Sequence, residues 1–140
     1  MSRAVFVDTS AWYAMSDEDD ASHALAVRRF RRLVELRRQP VTTNHVVGET
    51  YTLLRGRLGF RAALGLLERL RRSLYVERVF VPETWEAAAE QLLEQYNDQP
   101  FSYVNATSFV TMRRLGIDQA LAFDHDFLVA GFALLGDAQR

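Results

Sequence analysis

The chain of 140 residues has no cysteine, and all 17 of its basic residues are arginine. Without thiolates there is no disulfide and no sulfur-ligated metal. A metal would have to be held by oxygen atoms or by the 3 histidines, which favours magnesium or manganese over zinc. Without lysine, P-loop nucleotide hydrolases and Schiff-base enzymes are excluded, because both need an ammonium group at the reacting atoms. GC-rich codon usage would also replace lysine by arginine, and the exclusion holds on either ground. No stretch approaches the ~20 uninterrupted apolar residues of a membrane span, and the N-terminus lacks a long apolar run, so a cytoplasmic protein is expected. There is no repeat, linker or low-complexity tract, and the length suits one domain over residues 1–140.

What remains alternates between strand and helix signals. Residues 4–7 are an apolar run that reaches Asp8, with Asp8-Thr9-Ser10 offering a cap for a following helix. An acidic loop at 17–20 precedes a helix to about Arg38, with Val27, Phe30, Leu33 and Val34 on one face and arginines on the other. Gln39-Pro40 should end it. Val41 to Thr43 then reads as a strand, Asn44 as the cap of a helix to about Arg55, and Gly56 and Gly59 as the flanks of a turn. A helix striped by Ala63, Leu66, Leu67 and Leu70 follows, then a β-rich segment from Tyr75 to Val81. Pro82 starts the next helix, and residues 97–100 form a loop. Asn105 should head a helix that Gly116 closes, with strands at 119–123 and near 132–135. This order predicts an α/β fold with a mostly parallel sheet covered on both faces.

Three acids then gain meaning from their positions. Asp8 and Asp124 each follow an apolar strand, and Glu49 lies on a helix between the pairs Val46-Val47 and Leu53-Leu54. Taken singly, Asp8 and Asp124 are equally well explained as helix caps, and Asp126 as a solvated loop acid. Taken together they would gather at the carboxyl end of a parallel sheet, where ligands bind. Two carboxylates ~5 Å apart repel by roughly 3 kcal/mol at an effective dielectric of ~20, so such a cluster suits a cation. A magnesium ion held by a few carboxylates and a substrate phosphate can orient and acidify a water for attack on phosphorus.

The segments Val5-Phe6-Val7-Asp8-Thr9-Ser10-Ala11-Trp12, Thr43 to Thr50 around Glu49, Phe101 to Phe109 around Asn105, and Ala122-Phe123-Asp124-His125-Asp126-Phe127 together resemble the PIN-domain ribonucleases, in particular VapC-type toxins. The match runs in order along nearly the whole chain. The resemblance implies a three-layer α/β/α sandwich and Mg2+- or Mn2+-dependent hydrolysis of RNA. It implies Asp8, Glu49 and Asp124 as metal ligands with Asp126 as a further candidate, and supporting hydrogen bonds from Thr9, Ser10, Thr107 or Ser108. It also implies a homodimer and an antitoxin partner. Asn105 departs from the pattern, which has Asp there. The amide keeps the shape and the capping ability but loses the charge, which points to an attenuated metal site.

Arg55, Arg57 and Arg61 are candidate RNA contacts near the site, and the arginines of the second helix are a candidate phosphate track. Trp12 and Trp85 read as core. Two other readings remain open: a non-catalytic RNA- or protein-binding module, in which Asn105 marks lost chemistry, and an aspartyl-phosphate phosphatase with Asp8 as nucleophile. The lack of a second acid two residues after Asp8, and of any lysine, speaks against the phosphatase.

Overall fold

A computed structural model describes residues 3–136. In chain order the elements are β1 (Ala4–Val7), α1 (Thr9–Ser16), α2 (His23–Glu35), β2 (Gln39–Thr43), α3 (Asn44–Leu58), α4 (Phe60–Arg72), β3 (Glu77–Val79), α5 (Glu83–Gln95), α6 (Tyr103–Leu115), β4 (Gln119–Leu121), α7 (Asp126–Val129) and β5 (Ala133–Leu134). The five strands form one sheet in the order β3-β2-β1-β4-β5, and every pairing is parallel. Successive residues of a strand point to opposite faces. Val5, Phe6 and Val7 are all fully buried, so both faces of β1 are covered by helices, the α/β/α arrangement expected from the sequence.

The chain steps outward from β1 through β2 to β3, then returns to the other side of β1 to lay down β4 and β5. The order therefore reverses between β1 and β4. In an open parallel sheet, loops diverge at such a reversal and leave a crevice beyond the strands' carboxyl ends. Asp8 directly follows β1, and its N–H donates to the carbonyl of Leu121, the last residue of β4 (3.1 Å). Asp124 lies three residues beyond Leu121.

Several boundaries differ from the sequence reading. Helix α3 runs through Gly56 to Leu58, and only Gly59, at φ 98°, makes the turn into α4; glycine inside a helix is tolerated when neighbouring turns pack well. Helix α2 stops at Glu35 rather than Arg38, and the Arg3 guanidinium donates to the carbonyls of Leu36 and Arg37 beyond its end. Pro40 lies within β2 instead of merely ending the helix before it. Helix α6 starts two residues before Asn105, at Tyr103, with Ser102 as its cap, and α3 is capped by Thr43 rather than Asn44.

Under the sheet, aromatic rings fix the last third of the chain. Phe109 meets Phe101 and Phe127 edge-on at 5.2 and 5.0 Å and Phe132 at 5.7 Å, and Phe127 also touches Phe6 of β1 at 6.3 Å. Trp12 is buried on α1, where its indole N–H donates to the Thr42 hydroxyl (3.2 Å), which donates in turn to the carbonyl of Val7 (3.0 Å). Phe109 is thus the joint between α6 and the segment that carries Asp124. We predict that Phe109→Ala destabilises the fold by about 3–5 kcal/mol, measured by urea unfolding; a loss below about 1 kcal/mol would show that the ring cluster is not part of the core.

Candidate active site

The site is built from the two loops at the sheet reversal and from the first turn of α6. Asp8 is the cap of α1 and is only 3% exposed. Its Oδ2 accepts from the Ser10 N–H (3.2 Å) and the Ser10 hydroxyl (2.9 Å). The same hydroxyl accepts from the N–H of Phe123 (2.9 Å), so Ser10 ties the β1 loop to the β4 loop. Burial pushes the Asp8 carboxyl up to about 6, opposed by its bonds from Ser10 and Thr9 and reinforced by the charge of Asp124.

Asp124 is held from two sides. Its Oδ1 accepts from the N–H of Asp126 (2.9 Å), and its Oδ2 accepts from the side-chain amide of Asn105 (3.1 Å). Asn105 is itself locked by a capping box. The Ser102 hydroxyl accepts from the Asn105 N–H (3.0 Å), while Asn105 Oδ1 accepts from the Ser102 N–H (3.0 Å). Flipping the amide would set oxygen against the Asp124 carboxylate and nitrogen against the Ser102 N–H, so its orientation is dictated by its neighbours. Asn105 therefore presents a donor to Asp124, where an acid would present a second negative oxygen.

Asp8, Asn105 and Asp124 are accordingly brought into one cluster. Asp126 adjoins it; burial, followed by the charge of Asp124, raises the pKa of its carboxyl. Glu49 is half-buried on α3, one turn in from the helix start. Among the described residues no three His, Asp or Glu side chains converge as a metal-holding group, so the structure does not gather Glu49 with Asp8 and Asp124 into the three-acid set that the sequence suggested. Of the expected supporting hydroxyls, Ser10 does touch Asp8. Thr9 Oγ1 and Ser108 Oγ are buried without partners, and the Thr107 hydroxyl is turned away, donating to the Val104 carbonyl of its own helix (3.1 Å). Ser102 is a functional neighbour that the sequence did not single out: its capping-box partner is Asn105 rather than the Glu or Gln of the usual signature.

Arg55 and Arg57 lie in the last turns of α3, a rise of roughly 9–12 Å along the helix beyond Glu49. Their guanidiniums cover the rings of Phe60 and Tyr13 at 5.1 and 5.0 Å. Arg61 is exposed at the start of α4. On the far side of the α6 start, the Tyr103 hydroxyl lies 2.9 Å from Glu86 and 3.0 Å from Glu90, and His45 Nε2 is 3.3 Å from Glu86. A hydroxyl has one proton, so it donates to one of these carboxylates at a time.

The donor set suits a hard divalent cation. It consists of oxygen atoms only, two of its carboxylates disfavour each other's charge, and Thr9 and Ser108 leave buried hydroxyls unpartnered in the residue after Asp8 and one helical turn after Asn105. Acids gathered at the reversal point of a parallel sheet are placed where a bound cation could assist phosphate hydrolysis.

Residues 5–133 match the PIN-domain family model, and the chain belongs to that family. Nucleases of this family generally depend on divalent metal ions. Among curated proteins, the chain is 42% identical over 130 residues to the "23S rRNA-specific endonuclease VapC20" of two strains of Mycobacterium tuberculosis, covering 91% of this chain and 95% of the relative. Among solved structures, it is similar to the crystal structure of M. tuberculosis VapC20, described as a sarcin-ricin loop cleaving toxin. The TM-score is 0.85 at 40% identity, covering 92% of this chain and 96% of that one.

The Asp8 shift sets a pH dependence for the metal-free protein. Its folded pKa, about 6, lies above the ordinary 3.8, so the native state holds the proton more tightly than the unfolded chain does. The corresponding stability is fully present below about pH 4 and is lost as pH rises through about 6, up to roughly 3 kcal/mol. In chelator, Asp8→Asn is therefore expected to gain stability over the parent protein between pH 4 and 7. Urea unfolding curves whose difference stays flat across that window would remove the assigned shift.

Proposed function

We propose that the chain is a VapC-like endoribonuclease that hydrolyses RNA phosphodiester bonds with Mg2+ or Mn2+, working through an attenuated metal site. The observation that carries the reading is the buried, Ser10-held Asp8 coupled to Asp124 at the sheet reversal. Asp8 and Asp124 would hold the ion, with Glu49 and Asp126 as additional ligands, directly or through water. When bound, the ion supplies an activated water and neutralises charge developing on the phosphate. Ser10 keeps the Asp8 carboxylate ionised and aimed by donating to it. Asn105 positions Asp124, and the unpartnered hydroxyls of Thr9 and Ser108 are free to bond to ordered water. Thr107 acts at most through the α6 backbone. Arg55, Arg57 and Arg61 are assigned to RNA phosphates, with the ring contacts of Arg55 and Arg57 leaving Arg61 the most available of the three.

In keeping with its family, the protein is assigned a cytoplasmic location, a homodimeric state and a protein antitoxin. No helix among the described residues is long and apolar enough to cross a membrane. A second reading, an RNA-binding module without catalysis, is favoured by one observation: the Asn105 amide satisfies Asp124 as a cation would.

One substitution separates the two. Asn105→Asp keeps the capping box but turns an attractive 3.1 Å contact with Asp124 into one between carboxylates. Even relaxed to ~5 Å, these repel by about 3 kcal/mol. The variant should melt lower than the parent in chelator, gain more stability from added manganese, and cleave RNA at least tenfold faster in manganese. Asp8→Asn and Asp124→Asn should each abolish cleavage. An Asn105→Asp variant that neither binds manganese more tightly nor cleaves faster would leave the binding-module reading in place.

A further inference from the structure

A second feature adjoins the acidic centre. Between α2 and the end of β5 lies an open cavity of about 470 Å³. Among the described residues, Arg28, Arg29, Arg31, Arg32 and Arg38 line it together with one acid, Glu35. Glu35 sits 3.6 Å from Arg32, but both side chains are more than half exposed, so this pair neutralises little of the field. Arg28, Arg31 and Arg32 are exposed to solvent. From Arg28 to the end of α2 at Glu35 the helix rises roughly 10 Å, comparable with about three phosphates at ~3.4 Å along a stacked strand, while the Arg38 guanidinium beyond it donates to Gln119 and to the Arg3 carbonyl.

Arg29, one of the residues lining the groove, reaches the residue next to Asp124. The Arg29 guanidinium lies 5.9 Å from the centre of the Phe123 ring, and a Cβ placed on Gly136 would come within 2.9 Å of it. The bare backbone of Gly136, at φ 91°, is what leaves room for the guanidinium there. Phe123 immediately precedes Asp124, and its N–H is the one bonded to Ser10. A polyanion lying along α2 would therefore be led towards the loop that carries Asp124. The other basic surfaces lack this continuity. The guanidiniums of Arg55 and Arg57 lie over the rings of Phe60 and Tyr13, and Arg69 and Arg72 of α4 border an open depression that also includes Glu68.

We propose that the α2 groove is a phosphate track that seats the RNA strand flanking the scissile bond and leads it past Arg29 and Phe123 towards Asp124. Naming RNA as the polyanion rests on the nuclease reading; the location of the track rests on the groove itself. Multiple guanidiniums in a half-open groove suit backbone recognition without sequence readout, because each neutralises a phosphate and releases its counterion.

The test compares two triple variants of the full chain: Arg28→Gln with Arg31→Gln and Arg32→Gln on α2, and Arg69→Gln with Arg71→Gln and Arg72→Gln on the exposed face of α4. Binding of a fluorescein-labelled RNA hairpin is followed by anisotropy in chelator, from about 50 to 200 mM salt. The α2 variant should bind at least tenfold more weakly at low salt, and its log-log salt slope should fall by about two, as expected for three lost contacts to a single strand. The α4 variant should keep the parent slope. Equal losses in both variants would mean a mere net-charge effect, and an unchanged α2 variant would place the RNA elsewhere; either overturns the track. If the α2 variant loses binding of a labelled oligoglutamate peptide but keeps RNA binding, the groove is an acidic-peptide site and the proposal also falls. Because no cleavage is measured, a parent protein that binds RNA along α2 yet never cuts it would refute the nuclease reading while leaving the track intact.

Discussion

The architecture turns on a single hydroxyl. Ser10 stands between two loops 113 residues apart in sequence, giving a hydrogen bond to Asp8 and receiving one from the Phe123 backbone. A buried carboxylate is costly to keep ionised, and a buried N–H is costly to leave unpaired. One oxygen answers both demands, and in doing so it ties together the loops that leave two strands already paired through their backbones. The sheet order makes this possible. Only at the reversal between β1 and β4 do neighbouring loops turn apart and leave space for a substrate.

Much of this was legible in the residues. The apolar run ending in Asp8, and the one ending before Asp124, announced buried parallel strands, and the acids that follow such strands lie where ligands collect. Burial removes the ambiguity of strand against helix when the runs are short and β-branched, as in Ala4–Val7. The helix ends were harder. Gly56 looked like a breaker, yet tertiary packing of α3 against α4 carried the helix through it, and only Gly59, with its left-handed φ, interrupts the chain. Propensity is a local quantity, and it yields where long-range contacts are strong.

The site was legible in its residue types and less so in its contacts. Sequence could mark Thr9, Ser10, Thr107 and Ser108 as neighbours of the acids, but not which hydroxyls would reach them. That choice depends on rotamers set by the surrounding helices, so Ser10 bridges two loops while Thr107 bonds back to its own turn. Asn105 shows the same limit. Its identity flagged lost charge, whereas its contribution is positional: the capping box fixes the amide, and the amide supplies Asp124 with the hydrogen bond that a cation's charge would otherwise replace. An amide here is therefore compatible with a stable fold, whatever it does to the chemistry.

The pairing of β1 with β4 also bears on how the molecule is made. Phe6 is registered against Ala120, and Asp8 bonds to Leu121, so β1 waits for β4, more than a hundred residues later, before the central pair can close. During vectorial synthesis β1 can find β2 early, but the crevice between the two carboxylates has no second wall until β4 has left the ribosome. A truncated or still-emerging polypeptide thus carries Asp8 without its counterpart. For a protein whose chemistry would be directed at RNA, the order of elements itself delays competence until the strand that precedes the second acid has been translated.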